Sequence, residues 1–227
     1  MRVLQLTLTT LLLTLTGAGA CYAAANAAAA QDSASVLDFN EQTHLVFICE
    51  EEKLARDVYR VLGRRFPEIA SFAVMAENKE ASNCAVHELL QKYRVSIPQV
   101  NRNVGVFSWG IYGRYFTEKY MVLTGQGSSS PLNALYVAAF IEELNIQDIN
   151  QCPKAIVDIN NGINEASACG IKYTDNPDVQ GMYEDLLDES REHLRLLVKD
   201  IEQLLGSGNY QAQVLHQEEV EAIISDR

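Results

Sequence analysis

The chain has 227 residues and a formal net charge of −12, with 48% hydrophobic residues, so it is long enough to bury one substantial core. Lysine and arginine form no cluster that interleaves with aromatic residues, which argues against a nucleic-acid-binding protein. The acidic balance itself favours solubility and specifies no partner.

The N-terminus has the features of a secretory signal over residues 1–20. Arg2 precedes an apolar run from Val3 to Leu15, and small residues follow from Gly17 to Ala20. The run is shorter than a membrane span. We therefore expect export to the periplasm, to the outer membrane or out of the cell.

Cys21 leaves the processing of this segment open. The residues before it fit a signal-peptidase site and also a weak lipoprotein signal, in which a lipidated Cys21 would attach the protein to a membrane. Residues 21–36 are rich in alanine and predict a flexible spacer, so the folded domain is expected over 37–227.

Helical spacing of apolar residues predicts the elements that follow. Two long helices are expected over 39–65 and 69–93, and a short helix over 114–124 comes after an irregular segment. A serine cap and a proline open a third core helix at Pro131, and Asn176-Pro177 opens a fourth that continues to Leu205. A last short helix is expected over 218–224, so the protein should be an all-α antiparallel bundle of two helix pairs, with an extra short helix between the pairs.

Four cysteines remain after Cys21, which in an exported protein suggests two disulfides. Cys152 and Cys169 bracket a loop, and their bridge would contribute about 3 kcal/mol. Cys49 and Cys84 would lie near one level if the first two helices are antiparallel neighbours. A thiolate pair for metal or redox chemistry stays an alternative for Cys49 and Cys84.

Carboxylates lie on the apolar stripe of the first helix. At least one of Glu51 and Glu52 shares the inward face with Ala55 and Val58. Burying an unpaired carboxylate costs several kcal/mol. An inward glutamate therefore implies a metal ion, an ammonium partner or a raised pKa.

Four segments resemble one known family. They are Glu50 to Tyr59, Ala85-Val86 ahead of Leu89-Leu90-x-x-Tyr93, Ile141 to Ile149, and Ser190-x-x-His193-Leu194-Arg195. In this order they resemble the bacterial ferritin-like family called domain of unknown function 2202, over roughly residues 39–224. The resemblance implies a ferritin-like four-helix bundle.

The resemblance also implies where metal ligands would lie. Glu52 (or Glu51) and Glu142 (or Glu143) match the single acids of the first and third helices, and His193 matches the histidine of the fourth. Ser190 occupies the place of the fourth helix's glutamate. The family's Ser-Glu-Gln-x-His of the second helix is replaced by residues 78–82, so that Lys79 and Ser82 stand at the ligand positions.

These replacements predict a Lys79–Glu52 ion pair in a metal-free site. A single Zn, Mn or Fe ion on Glu52, Glu142 and His193, with Cys49 or Glu80 helping, remains open, and a di-iron centre is less favoured. We expect an exported, metal-poor binding or envelope module. The alternative is a periplasmic metal-dependent oxidoreductase or metal-handling protein, so whether the chain is an enzyme is undecided.

Overall fold

The computed structural model describes residues 36–96, 101–107 and 110–226, and these ranges contain helices and no strand. The predicted signal at 1–20, Cys21 and all but the last residue of the predicted spacer lie outside the described residues. The all-α prediction is confirmed. In chain order the helices are α1 (Phe39–Arg65), α2 (Ser71–Lys92), α3 (Tyr112–Gly127), α4 (Pro131–Asn150), α5 (Lys154–Ile159), α6 (Pro177–Leu205) and α7 (Gln217–Ser225), with a 3-10 turn at Ala166–Ala168.

Three of the long helices begin at a side-chain cap. Asp38 and Glu41 form a reciprocal capping box at the start of α1, with Asp38 Oδ1 accepting from Glu41 N at 2.8 Å. Ser130 caps α4 and Asn176 caps α6, and in both cases a proline follows at the first helical position. These local signals fix where α1, α4 and α6 start.

Four helices surround a common interior. Contacts join α1 to α2 and to α4, and α6 to α2 and to α4, while α3 packs on α1 and α4 and α7 packs on α6. Each of the four joined pairs is antiparallel. Ser71 pairs with Asp200 at one end of the α2–α6 pair, for example, and Lys92 pairs with Asp178 at the other.

Cys152 and Cys169 lie at disulfide-bonding distance, with their Cα atoms 4.8 Å apart. The predicted Cys49–Cys84 bridge is wrong, because Cys49 is a free, buried thiol. Asn83, not Cys84, faces Cys49: its Nδ2 donates to the Cys49 carbonyl at 2.5 Å. One residue along a helix is a rotation of about 100°, so the next residue points elsewhere.

Among the described residues, no helix has both the length and the apolar character needed to cross a bilayer.

Candidate functional site

Lys79, on α2, is fully buried at the centre of the four helices. Its Nζ lies 3.2 Å from Glu52 Oε1 on α1, 3.4 Å from Glu142 Oε2 on α4 and 3.2 Å from Glu189 Oε1 on α6. The hydroxyl of Ser190 is 3.3 Å away. One ammonium therefore contacts carboxylates from each of the other three surrounding helices.

The charges of this cluster depend on one another. Burial opposes the ammonium of Lys79, but Glu142, Glu52 and Glu189 together raise the pKa of Lys79 above its usual value. Burial raises the pKa of Glu52 to about 7, although Lys79 acts in the opposite direction. Lys79 is therefore charged at neutral pH, while Glu52 divides between its two protonation states.

Glu142 has more partners than any other acid of the cluster. Tyr59 OH donates to its Oε1 at 2.6 Å, and His193 Nδ1 lies 3.0 Å from the same oxygen. Burial alone would raise its pKa, but Lys79 and His193 outweigh burial and hold the pKa of Glu142 at about 2. Asn78 lies 3.0 Å from His193 Nε2 and fixes the ring from the other side.

Two further residues complete the cluster, and sequence reasoning missed both. Glu189 pairs with Lys79 and accepts from Ser82 Oγ at 2.8 Å. The side-chain amide of Asn145 fits with its oxygen facing Lys79 Nζ at 3.2 Å and its nitrogen facing the Ile141 carbonyl at 3.1 Å. Glu189 is adjacent to Ser190 and Asn145 is one turn beyond Glu142, so the helical period was the only available signal.

Glu51 and Glu143, the alternatives to Glu52 and Glu142 as metal ligands, point away from Lys79. Glu143 is buried and accepts three backbone N–H bonds, from Gln213, Val214 and Leu215, at 2.6–2.9 Å. Tyr210 OH also donates to Glu143 at 2.5 Å. Glu143 therefore anchors the segment that follows α6, while Glu51 is directed to α3 and α4.

Glu80 and Cys49, which the sequence suggested as additional metal ligands, also have other partners. Glu80 pairs with Arg56 at 2.6 Å and with Arg60 at 3.3 Å. Arg56 also pairs with the buried Asp57, which binds Lys53 at 2.6 Å. Cys49 lies against Asn83, and burial raises the pKa of its thiol to about 12. Neither Glu80 nor a Cys49 thiolate is therefore available to a metal at the centre.

The donor set does not fit a resident metal. Within the described ranges, no group of three or more His, Cys, Asp or Glu side chains is arranged to hold a metal ion. The Lys79 ammonium lies between the acids that would have to converge on one. A cation fixed among carboxylates offers them the charge compensation that a metal ion would otherwise supply.

Comparison with known proteins gave consistent matches. A family model described as "Uncharacterized protein domain (DUF2202)" matches residues 41–227. Uncharacterized protein MJ0754 of Methanocaldococcus jannaschii is 36% identical over 185 residues, which cover 82% of this chain and 86% of that protein. The crystal structure of hypothetical protein MJ0754 from this archaeon superposes with a TM-score of 0.69 at 34% identity, covering 84% of this chain and 95% of that one.

Proposed function

Because the chain belongs to the family of the uncharacterized protein domain DUF2202, we propose that it is a ferritin-like bundle in which a lysine takes the place of the metal centre. It acts as an exported, metal-independent binding or envelope module. The observation that carries this proposal is Lys79, whose Nζ lies within 3.4 Å of three carboxylates on three helices.

The antiparallel pairing of α1 with α2 and of α4 with α6 supports the ferritin-like assignment. The long connection between the two pairs, which contains α3, is of the kind that ferritin-like folds use once. Export rests on the composition of residues 1–20 alone.

The charge of Lys79 and its position between the carboxylates both support a centre that works without a metal ion. Removing the ammonium would leave Glu52 and Glu142 buried without a cation, which is costly. A metal ion would have to displace this ammonium before it could bind the same oxygens. The lysine therefore compensates part of the buried negative charge without a cofactor.

A second candidate, a metal-dependent oxidoreductase or metal-handling protein, keeps one point in its favour. The acids of the cluster outnumber its ammonium, and Glu52 Oε2 has no hydrogen-bond partner among the described residues. In that case one Zn, Mn or Fe ion would bind Glu52, Glu142 and His193 after Lys79 moves away.

Measuring the metal content distinguishes the metal-independent module from the metal-dependent protein. The protein is exported into a periplasm with iron, zinc and manganese supplied, purified without chelator and analysed by mass spectrometry, beside His193→Ala. We expect far less than one ion per chain in both. About one ion per chain that His193→Ala loses would support the residual site, and about two per chain would restore a di-metal centre.

A further inference from the structure

A cavity of about 770 Å³ lies between α3, α4 and the segment that follows α6. Three aromatic side chains, those of Tyr115, Tyr136 and Phe140, are part of its lining, and none of its lining residues belongs to the Lys79 cluster. It reaches the surface at Val122, which is 55% exposed. Small-molecule sites have volumes of about 300–1,000 Å³ and largely apolar, aromatic linings. The cavity therefore has the size and the lining of a ligand site separate from the centre of the bundle.

The α4 side of this cavity is held in place by its own contacts. The Tyr136 ring stacks on the Tyr210 ring, with centroids 5.7 Å apart and an interplanar angle of 20°. Gln213, which also lines the cavity, donates to the Tyr136 carbonyl at 2.8 Å and to Tyr210 OH at 3.2 Å. The backbone N–H of Gln213 donates to Glu143. Because this wall is already formed, a ligand has little side-chain freedom to remove when it binds.

Lys119 supplies a polar group to the α3 side of the cavity. Its Nζ donates to Tyr115 OH at 2.7 Å, and it lies 5.1 Å from the centroid of the Tyr115 ring and 5.8 Å from that of the Phe140 ring. An ammonium has three N–H donors. The bond to Tyr115 is the only hydrogen bond that Lys119 makes within the described part of the chain, so two donors remain open to a ligand. A carbonyl oxygen is an acceptor that fits them.

The charges around the cavity favour a neutral ligand. The lining contains one ammonium, that of Lys119, and one carboxylate, that of Glu118, so its formal charges cancel. The chain as a whole carries a formal net charge of −12, which disfavours the approach of anions. Flat rings pack well against tyrosine and phenylalanine rings, in stacked or edge-to-face arrangements. A neutral, flat aromatic molecule therefore matches this lining best.

We propose that the cavity binds a neutral, planar aromatic molecule whose carbonyl oxygen accepts a hydrogen bond from Lys119. The ring of the ligand packs among Tyr115, Tyr136 and Phe140, and its outer edge lies beside Val122. This inference gives the binding module proposed above a site and a ligand class, and in that respect it rests on the proposed function. The site itself does not involve Lys79.

Equilibrium dialysis at pH 7 with three related probes tests the ligand class. Coumarin is neutral and planar and has a ring carbonyl, 2H-chromene has the same two rings without the carbonyl, and coumarin-3-carboxylate adds a negative charge. We expect one coumarin per chain with a dissociation constant of about 0.1 mM, the value typical of a ligand of this size. 2H-chromene should bind about tenfold more weakly, because it cannot accept from Lys119. Coumarin-3-carboxylate should also bind more weakly than coumarin.

Lys119→Met tests the role of the ammonium through a difference between probes. In this variant coumarin and 2H-chromene should bind equally, because neither finds a donor. Lys154→Met is the matched control, since Lys154 pairs with Asp158 at the surface, and it should keep the tenfold preference for coumarin. The comparison of two probes within one protein does not depend on the stability of the variant.

Two neighbouring tryptophan substitutions test the location. Val122→Trp fills the exposed edge of the cavity and should weaken coumarin binding at least about tenfold, because the ring would occupy the volume of the ligand. Met121→Trp is the matched control, because Met121 is 66% exposed and is not part of the lining. It should bind coumarin as the wild type does. Both side chains lie largely in solvent, so both variants should fold.

Four results would overturn the proposal. They are no saturable binding of coumarin up to about 1 mM, equal affinity of the wild type for coumarin and 2H-chromene, tighter binding of coumarin-3-carboxylate, and full coumarin binding by Val122→Trp. Failure of the proposed function is distinguishable from these results. Bound metal in a protein that still binds coumarin would refute metal independence alone, whereas a metal-free protein that does not bind coumarin would refute the ligand site alone.

Discussion

At the residue scale, the long stem of Lys79 decides the character of the centre. The ammonium reaches Glu52, Glu142 and Glu189 without any of the three helices moving apart. A shorter cation or a neutral side chain could not contact all three. Removing the charge while keeping the volume therefore tests what the lysine contributes.

Lys79→Met should lower the free energy of unfolding by about 3–5 kcal/mol, because it leaves buried acids without their cation. Denaturant unfolding at pH 7 measures the change. Lys154→Met is the matched control, since the Lys154–Asp158 pair is exposed and its loss should change little. Equal effects of the two substitutions would show that the buried cluster is not ion-paired.

Tyr59→Phe should lower the free energy of unfolding by about 1.5–3 kcal/mol, because the tyrosine donates a hydrogen bond to the charged Glu142. The control is Tyr173→Phe, whose hydroxyl donates to Asp38 at the surface. We expect the control to lose clearly less in the same denaturation experiment, and a loss as large as that of Tyr59→Phe would argue against an ionised Glu142.

The lowered pKa of Glu142 also predicts how the free energy of unfolding decreases at acid pH. Its pKa is about 2 in the folded chain against 4.5 ordinarily, so its stabilisation is complete above pH 4.5 and is lost as pH falls towards 2. The stabilisation is about 3 kcal/mol. Glu142→Gln should therefore lose less stability than the wild type between pH 4.5 and 2, and parallel curves would contradict this.

Part of the Lys79 cluster could be predicted from the sequence, and the rest could not. The positions of Lys79 and Glu52 follow from helical period and the family resemblance. Glu189 and Asn145 could not be predicted, because the packing of a helix decides which of two adjacent residues faces the interior. The rotation of α2 also explains the wrong prediction of a Cys49–Cys84 bridge, because Asn83 and not Cys84 faces Cys49.

At the element scale, Glu143 connects α4 to the segment that precedes α7. Glu143→Gln should expose residues 210–226 to limited proteolysis while the remaining helices stay protected, because a neutral amide oxygen binds three N–H groups less strongly. Glu202→Gln weakens, by the same change, a single surface contact to Gly208 N and should leave cleavage unchanged. Simultaneous cleavage throughout the chain would refute a local role.

Element boundaries were predictable where a cap stands at the start. The helix starts predicted at Ser130-Pro131 and at Asn176-Pro177 agree with the structure, where Ser130 and Asn176 bond to the first turn of α4 and α6. The six-residue α5 was missed because it is too short to show a 3.6-residue period. α3 extends beyond the predicted 114–124 at both ends, since its contacts with α1 and α4 outweigh weak local signals.

At the scale of the whole molecule, the Lys79 cluster puts a cation at the centre of the helices. The cluster lies among α1, α2, α4 and α6, and the ammonium contacts a carboxylate from each of the other three helices. Burial opposes this charge, but Glu142, Glu52 and Glu189 raise the pKa of Lys79 above its usual value. We therefore expect the centre to keep its positive charge at alkaline pH.

The most direct test of the central claim is a nitrogen-15 NMR measurement of the lysine ammonium groups at pH 7, with and without one equivalent of Zn²⁺. We expect a slowly exchanging ammonium signal that is lost in Lys79→Met and unaffected by the metal. A Lys79 signal that is absent, or that one equivalent of Zn²⁺ displaces, would contradict the claim that the lysine takes the place of a metal.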